Sequence, residues 1–393
     1  MNVPRNDPNS FARTTSFNQE ARPIVYPVHG GDREAAAVLA GLPPEEILDF
    51  SSSVNPLPPP TYLRRLLAEL EHGLREYPDP NSSRLKEALE RTLNIGRDRI
   101  VAVNGSTELI YLLPCLLKEG SQVCLAVPCF SEYKRAFELA NFPVHGIPLD
   151  PANGFQPQID CFLECLERIP NLGAAVVGHP NSPAGNLWKE QDLLPLLSYC
   201  EGRNALLIVD ETFMDFCDPG RSLLPKVPDS RFLVVVRSLT KFYGLAGLRL
   251  GYGVMHPRQV ETMEQRRIPW SVNIAAQKLG AAVLQDREFA EATRAFIRQE
   301  NSFLRRALAE TGFLEVFPSD VNFFLVRLRG TGPALPDRLY MSLLRDGILL
   351  RNCGNFDGLD KSYFRVAMRT RADNEKLVAA LAKNFSLLGV GET

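Results

Sequence analysis

Several features that mark specialised classes of protein are missing from this sequence of 393 residues. No stretch approaches the ~18 apolar residues of a membrane-spanning helix, and the first 24 residues lack the apolar core of a signal peptide. The 44 Lys and Arg residues balance 46 Asp and Glu residues without a block of either sign. Binding to nucleic acid needs a concentrated basic face. We therefore expect a cytoplasmic protein that binds neither membranes nor nucleic acid, with a flexible tail over residues 1–24.

Patterns for metal ions, disulfides and dinucleotides are also missing. The eight cysteines are scattered through mostly apolar stretches, without a Cys-x-x-Cys pair. Cys161 and Cys165 lack the nearby His or Cys partners that a zinc site needs. We expect reduced, buried cysteines and no bound metal. No Gly-x-Gly-x-x-Gly follows the early strand-like segments, which disfavours a nicotinamide-binding protein.

The sequence does contain an alternation of helical and strand-like segments from about residue 84. Short runs rich in Val, Ile and Leu between amphipathic segments are typical of parallel strands buried on both faces. The predicted strands cover 100–103, 123–127, 174–177, 206–209 and 232–236, and the predicted helices cover 84–93, 108–118 and 132–140. This order predicts an α/β doubly wound domain with a mostly parallel sheet between helices.

The pattern changes after about residue 275. The predicted elements there are a long helix over 275–311, strands over 322–328, 348–351 and 363–368, and helices over 334–345 and 372–388. Fewer strands after a long helix indicate a second, smaller α+β domain. We expect an N-terminal arm over 25–60 that packs on the small domain, a large domain over 61–275 and a small domain over 276–393.

The segment that follows the predicted strand 232–236 carries several groups suited to an anionic ligand. It lies at the carboxyl edge of the predicted sheet, where open α/β proteins bind ligands. Ser238 and Thr240 place hydroxyl groups beside Lys241, and Arg249 offers a planar guanidinium suited to a phosphate dianion. A lysine alone in this place could be an ordinary surface residue. Its neighbours favour a function.

Two other strand ends carry polar residues. Asp210 directly follows one predicted strand, and Ser106 and Thr107 follow another at the start of a helix. A carboxylate can pair with the pyridine nitrogen of pyridoxal phosphate and keep it protonated, and a helix N-terminus can bind its phosphate. Helix capping would explain each feature singly. Together with Lys241 they predict a single site at the edge of the sheet.

These segments and His179-Pro180-Asn181-Ser182-Pro183-Ala184-Gly185 occur in the order found in fold-type I pyridoxal-phosphate enzymes, the aspartate aminotransferase superfamily. The resemblance runs from about residue 25 over nearly the whole chain. It implies that Lys241 is the Schiff-base lysine and proton carrier and that Asp210 pairs with the pyridine nitrogen. The residues that it implies around the cofactor, chiefly at its phosphate, are Ser106, Thr107, Ser238, Thr240 and Arg249.

The resemblance assigns three further roles. Phe130 matches the aromatic residue that stacks on the cofactor ring. Arg365 matches the arginine that grips the substrate α-carboxylate, a bidentate contact suited to guanidinium. Tyr77 matches a tyrosine that reaches the cofactor phosphate of the neighbouring subunit, so the resemblance implies a homodimer with shared active sites.

Two positions depart from the pattern of the superfamily. Phe213 stands where a tyrosine often bonds the cofactor's ring oxygen O3′, and Ser182 stands where asparagine is usual, with Asn181 one residue earlier. Either Ser182 or Asn181 could hold O3′, and the sequence leaves both open.

The N-terminal segment distinguishes two similar subfamilies, histidinol-phosphate aminotransferases and the threonine-phosphate decarboxylases of cobalamin biosynthesis. Val28-His29-Gly30-Gly31, followed by Asp49-Phe50-Ser51-Ser52-Ser53-Val54-Asn55-Pro56, resembles the opening of the decarboxylases. The substrate-binding residues implied by this resemblance are His29, Asn55, Arg351 and Arg365, and the two arginines could hold a carboxylate and a phosphate. We expect decarboxylation of L-threonine O-3-phosphate, a small phosphorylated amino acid.

No single residue in the sequence shows which Cα bond of the substrate stands perpendicular to the cofactor ring. Transamination of histidinol phosphate is therefore the alternative reaction. A third alternative is a regulatory binding module built on the same fold. The short tail before residue 25 disfavours it, because a basic DNA-binding domain would be expected there.

Overall fold

The computed structural model describes residues 26–330 and 332–388, so the tail expected over residues 1–24 lies outside the described residues. The helices of this part of the chain are α1 (Arg33–Ala40), α2 (Tyr62–Ala68), α3 (Ser83–Leu93), α4 (Gly105–Leu112), α5 (Ser131–Leu139), α6 (Ile159–Glu167), α7 (Glu190–Gly202), α8 (Pro257–Arg266), α9 (Ile274–Val283), α10 (Arg287–Glu310), α11 (Leu335–Arg345) and α12 (Arg371–Leu387). The strands are β1 (Leu48–Asp49), β2 (Ile100–Val103), β3 (Gln122–Val127), β4 (Val144–Pro148), β5 (Leu172–Gly178), β6 (Leu206–Asp210), β7 (Leu233–Ser238), β8 (Gly251–Val254), β9 (Leu314–Val316), β10 (Phe323–Leu328), β11 (Ile348–Leu349), β12 (Arg351–Asn352) and β13 (Tyr363–Ala367).

A seven-stranded sheet forms the centre of the larger part, in the order β2-β8-β7-β6-β5-β3-β4. Strand β8 is antiparallel to both of its neighbours, and the remaining pairs are parallel. Every residue of β2 and β7 is buried, as expected for strands covered by helices on both faces. The predicted α/β fold with a mostly parallel large sheet is confirmed.

The pattern of apolar runs missed two strands of this sheet. Strand β8 contains two glycines in four residues, and β4 is an edge strand whose residues are largely exposed. Neither segment carries the continuous Val, Ile and Leu run that signals a buried parallel strand. They are found only through the hydrogen bonds that they make with neighbouring strands.

The C-terminal part contains a smaller antiparallel sheet in the order β12-β13-β10-β9. A separate parallel pair joins β1 of the N-terminal segment to β11, with Leu48 opposite Ile348. The single strand predicted over 348–351 is wrong, because the chain leaves this pair after β11 and enters the antiparallel sheet at β12. A smaller sheet beside the large one agrees with the predicted two-part architecture.

Two predicted helices have different bounds. The helix predicted over 275–311 is two helices, α9 and α10, and the Asp286 carboxylate starts the second by accepting a hydrogen bond from the backbone N–H of Phe289. The helix predicted over 108–118 begins earlier, at Gly105, and ends at Leu112. A short 3₁₀ turn follows it, because Pro114 has no N–H group to continue the α-helical pattern.

Among residues 26–330 and 332–388, no helix is long and apolar enough to cross a membrane, and no group of three or more His, Cys, Asp or Glu side chains is arranged to hold a metal ion. The expectation of uniformly buried cysteines is wrong: Cys161 is exposed, and Cys115 and Cys165 are half-buried.

Candidate active site

The carboxyl ends of six strands lie at one edge of the large sheet, because every strand of this sheet except β8 runs in the same direction. A cavity opens at this edge. It is lined both by residues of the large sheet and by residues of the smaller C-terminal part. The predicted site residues that line it are His29, Ser106, Thr107, Phe130, Ser182, Asp210, Thr240, Lys241, Arg249, Arg351 and Arg365.

Lys241 reaches this cavity from the turn after β7. Burial removes its ammonium group from water, and the positive charges of Arg365 and Arg249 lower the pKa further, to about 8, against the opposing influence of Asp49. A sizeable fraction of the amine is therefore neutral near physiological pH. A neutral amine is the nucleophilic form that can attack a carbonyl carbon.

Asp210, at the end of β6, places a carboxylate in the same cavity. Its Oδ1 accepts a hydrogen bond from the backbone N–H of Thr212 at 2.9 Å. Burial raises the pKa of Asp210, while Thr212 and the hydroxyl of Tyr133 act to lower it. A fixed, buried carboxylate suits a protonated ring nitrogen, whose positive charge would offset the cost of burying Asp210.

Gly105 and Arg249 form a cradle for an anion at the start of α4. Gly105 adopts φ +80°, and a Cβ at this position would lie 2.7 Å from Nη2 of Arg249. Only glycine therefore lets the guanidinium approach the helix N-terminus so closely. The N-terminal N–H groups of α4, the side chains of Ser106 and Thr107, and Arg249 together supply donors suited to a phosphate dianion.

Thr240 and Ser238 have different positions at this cradle. Thr240 lines the cavity, whereas Ser238 is buried beside it, with its Oγ 2.7 Å from Oγ1 of Thr240. Ser238 also accepts a hydrogen bond from the backbone N–H of Thr240 at 3.2 Å. Ser238 therefore holds Thr240 in place. These residues fit the cofactor that the sequence predicts: a lysine for its aldehyde, a carboxylate for its ring nitrogen and a cradle for its phosphate.

Arg365, on β13, reaches the cavity from the smaller sheet, and some of its N–H donors are not engaged by protein acceptors. It donates Nη1 to Oγ of Ser182 at 3.0 Å and Nη2 to the carbonyl of Ser51 at 3.0 Å. Its Nε has no partner among the described residues. Burial lowers the pKa of Arg365 to about 10, so the guanidinium stays charged at neutral pH. Its free N–H groups are available to a carboxylate.

Arg351 lines the same cavity but is largely occupied by protein acceptors. It donates Nη1 to the carbonyls of Pro27 and Asn352, and Nη2 to the carbonyl of Val28 and to Oδ1 of Asn355. These four acceptors leave the Nε–H for a ligand. In this arrangement Arg351 fastens the backbone just before His29, a contact that the sequence did not suggest.

Asn55, predicted to bind substrate, does not line the cavity. Its amide donates to the carbonyl of Phe242 at 2.7 Å and to Oγ1 of Thr293 at 2.9 Å. Its backbone N–H donates to the carbonyl of Lys241 at 2.9 Å. The structure gives Asn55 a contact that holds the turn carrying Lys241 instead of a contact with a ligand.

Of the two candidates for the ring oxygen, only Ser182 faces the cavity. Asn181 is fully buried and donates its amide N–H to the carbonyl of Pro128, while its Oδ1 accepts from the backbone N–H of Ala184. Phe213, at the position where tyrosine is frequent, lines the cavity and packs edge-on against Phe323. Ser182 is therefore the better placed hydroxyl for O3′.

Tyr77 lies away from the cavity and is 81% exposed. Its ring packs against Trp270, with 4.8 Å between the centroids. Leu74, three residues before Tyr77, and Ile268, two residues before Trp270, are also largely exposed. A position outside the cavity of its own chain agrees with a role toward a second subunit.

The sequence reasoning missed two carboxylates around the cavity. Oδ1 of Asp49 accepts from the backbone N–H groups of Ser51 and Ser52 and fixes the loop whose carbonyl binds Arg365. Glu132, two residues after Phe130, pairs with His29. The resemblance implies no role for either residue. The sequence hinted at them only by position, because Asp49 belongs to the N-terminal motif and Glu132 lies close to Phe130.

Comparison with known proteins agrees with this geometry. The profile of the family "Aminotransferase class I and II" matches residues 45–381. A threonine-phosphate decarboxylase of Salmonella typhimurium is 36% identical over 90% of this chain and 95% of its own length. A histidinol-phosphate aminotransferase of Methanosarcina mazei is 30% identical over 94% of this chain and 97% of its own length.

Among solved structures, the histidinol-phosphate aminotransferase of Clostridium acetobutylicum superposes with a TM-score of 0.79 at 29% identity. The match covers 86% of this chain and 98% of that protein. Relatives with two different reactions therefore resemble this chain over similar lengths.

Proposed function

This chain belongs to the aminotransferase class I and II family, and on that premise we propose that it decarboxylates L-threonine O-3-phosphate. The products are (R)-1-aminopropan-2-yl phosphate and CO2, in a step of cobalamin biosynthesis. Pyridoxal 5′-phosphate is the cofactor. When bound, it supplies an electron sink for the Cα bond that stands perpendicular to its ring.

The observation that carries the proposal is a set of three side chains in the cavity of Lys241 that suit anionic groups: a histidine and two arginines. His29, Arg351 and Arg365 all line it. A single substrate with a carboxylate and a phosphate would use all three at once, whereas histidinol phosphate carries only the phosphate and 2-oxoglutarate carries only carboxylates. The N-terminal motif around His29 and the 36% identity to a threonine-phosphate decarboxylase support the same choice.

Each of these residues has a distinct task in the proposed reaction. The free N–H groups of Arg365 bind the carboxylate, and His29 with the Nε–H of Arg351 binds the substrate phosphate. Holding these two ends sets which Cα bond stands out of the ring plane. The Cα–carboxylate bond breaks, CO2 leaves, and Lys241 in its ammonium form delivers a proton to Cα and becomes the neutral amine.

The other predicted residues hold the cofactor. Asp210 would keep the ring nitrogen protonated, Phe130 would pack on the ring face, and Ser182 would bind O3′. The phosphate is held by Ser106, Thr107, Thr240 and Arg249, with Ser238 in support. All but Ser238 lie on the wall of one cavity, which supports these assignments.

We also propose that the protein acts as a homodimer. Leu74, Tyr77, Ile268 and Trp270 expose large apolar side chains. Such a patch is typical of an interface. Tyr77 would cross this interface to the cofactor phosphate of the second subunit.

Assay with L-threonine O-3-phosphate tests the proposal. Purified protein loaded with pyridoxal phosphate should release CO2 and form the amino-alcohol phosphate without any keto acid. The Lys241→Ala variant should release none. If CO2 is not released but histidinol phosphate transfers its amino group to 2-oxoglutarate, the protein is an aminotransferase. The 30% identity to such an enzyme makes this the second candidate.

A further inference from the structure

Glu132 makes a contact at the mouth of the cavity that neither cofactor binding nor carboxylate binding explains. Its side chain, near the start of α5, is only 8% exposed. Oε2 accepts a hydrogen bond from the hydroxyl of Tyr111 at 2.5 Å, and Oε1 lies 3.1 Å from Nε2 of His29. The His29 side chain is half-exposed and lines the cavity. A nearly buried carboxylate is thus aimed at the imidazole that faces the ligand.

The contact fixes which ring nitrogen of His29 meets a ligand. A carboxylate that accepts a hydrogen bond from one imidazole nitrogen sets both the ring orientation and the identity of the free nitrogen. Because Nε2 of His29 is engaged by Glu132, Nδ1 is left for the cavity. The ring of Phe130, with its centroid 5.8 Å from that of His29, bounds the imidazole on another side.

A purely structural role for Glu132 would be to stabilise the start of α5 and to tie it to α4 through Tyr111. That role does not require a contact with His29. The backbone around His29 is already held by Arg351, through the carbonyls of Pro27 and Val28. What remains free after those contacts is the rotation of the imidazole, and Glu132 restricts that rotation.

We propose that Glu132 is a positioning residue that acts through His29 to set the affinity for the phosphoryl group of the substrate. This inference rests on the proposed function in that it assumes a phosphorylated substrate. The imidazole separates the carboxylate from the cavity, and in its doubly protonated form it donates Nε2–H to Glu132 and presents Nδ1–H to the phosphoryl group. Tyr111 holds the second carboxylate oxygen and keeps Glu132 from turning toward the ligand.

Lys134 offers a matched control on the same helix. It pairs with Asp357 at 2.8 Å and so links α5 to the C-terminal part, but both side chains are substantially exposed and neither lines the cavity. The Lys134→Met variant removes a charged contact of α5 without touching His29. Exposed pairs of this kind contribute little to stability.

A double-mutant cycle on the loaded enzyme tests the inference. Glu132→Gln and His29→Asn should each raise KM for L-threonine O-3-phosphate about tenfold while kcat changes less than about threefold. The double variant should be no worse than His29→Asn alone, because Glu132 acts through that residue. Lys134→Met should leave KM unchanged. Additive losses in the double variant, or an equal loss of cofactor affinity in Glu132→Gln, would overturn the inference.

Binding of inorganic phosphate separates this inference from the proposed reaction. Calorimetry on the loaded enzyme should give a dissociation constant for phosphate that Glu132→Gln raises about tenfold and Lys134→Met leaves unchanged. This result would support the inference even if the enzyme released no CO2 from threonine phosphate. Equal phosphate affinity in wild type and Glu132→Gln, or no binding by the wild type, would overturn it.

Discussion

Arg365 donates a hydrogen bond from Nη1 to Oγ of Ser182 at 3.0 Å, which joins β13 of the smaller sheet to the loop after β5 of the large sheet. The same hydroxyl faces the cavity where the cofactor oxygen O3′ is proposed to lie. In the proposed roles, the arginine for the substrate carboxylate is oriented by a residue that would also contact the cofactor. Substrate binding and cofactor binding would then both depend on the Ser182 side chain.

The Ser182→Ala variant should bind substrate more weakly. Without the hydroxyl, a donor of the buried Arg365 loses its acceptor, and hydrogen bonds to charged groups are worth about 1.5–3 kcal/mol. We expect KM for the substrate to rise about tenfold or more, measured by steady-state kinetics at saturating cofactor. Ser182→Thr keeps the hydroxyl and serves as the control. An unchanged KM in Ser182→Ala would show that Arg365 does not need this anchor.

The Gly105→Ala variant should bind pyridoxal phosphate more weakly. The added Cβ would lie 2.7 Å from Nη2 of Arg249 and push the guanidinium out of the phosphate cradle. Gly120 is a matched control, because its φ of +76° imposes similar backbone strain on alanine but nothing lies within 4 Å of an added Cβ. Spectroscopic titration should show at least an approximately tenfold loss of cofactor affinity in Gly105→Ala. Equal affinities in the two variants would contradict the assignment of the cradle.

Attachment of the cofactor should depend on pH through Lys241. The pKa of this amine is lowered to about 8, and only the neutral form attacks the aldehyde. The neutral fraction increases as pH rises, so the rate of reconstitution should increase up to pH about 8 and level off above it. With an ordinary lysine, the rate of reconstitution would keep increasing with pH up to a pKa of ~10.4. Stopped-flow absorbance of cofactor-free protein mixed with pyridoxal phosphate gives the profile, and a midpoint near 10 would contradict the effect of burial and of the two arginines.

Charge placed on the exposed apolar patch should weaken the proposed dimer. Ile268 is largely exposed, although it is a large apolar residue. The Ile268→Glu variant should sediment partly or wholly as a monomer in analytical ultracentrifugation, whereas the wild type should sediment as a dimer. Leu139→Glu, at an exposed apolar position on α5, is the control. A monomeric wild type would refute the proposed dimer and the role of Tyr77.

Much of the site could be predicted because its residues follow strands with strong apolar signals. Asp210 is the last residue of β6 and Lys241 lies just beyond β7, and the parallel pairing of these strands brings their ends together. Elements without such a signal were missed, as in the glycine-containing β8. The helix break at Asp286 was missed because capping outweighs the continuous helical pattern on either side.

Contacts between distant segments were the part that the sequence could not predict. Arg351 donates hydrogen bonds to the backbone carbonyls of Pro27 and Val28, more than three hundred positions away. Every residue has a backbone carbonyl, so the residue types at these positions do not indicate the contact. The pairing of Glu132 with His29 is of the same kind, because it depends on where the N-terminal segment crosses α5. Asn55 is an error of the opposite kind. Its motif predicted a contact with a ligand, but its side-chain amide donates a hydrogen bond to the backbone carbonyl of Phe242.

The most direct test of the central claim is to find the residue that carries the cofactor. The loaded protein would be reduced with borohydride, digested and analysed by mass spectrometry, because reduction makes the linkage between the amine and the cofactor permanent. The account predicts one labelled peptide, modified at Lys241, and no label in the Lys241→Ala variant. A label on another lysine, or unchanged labelling in that variant, would contradict it.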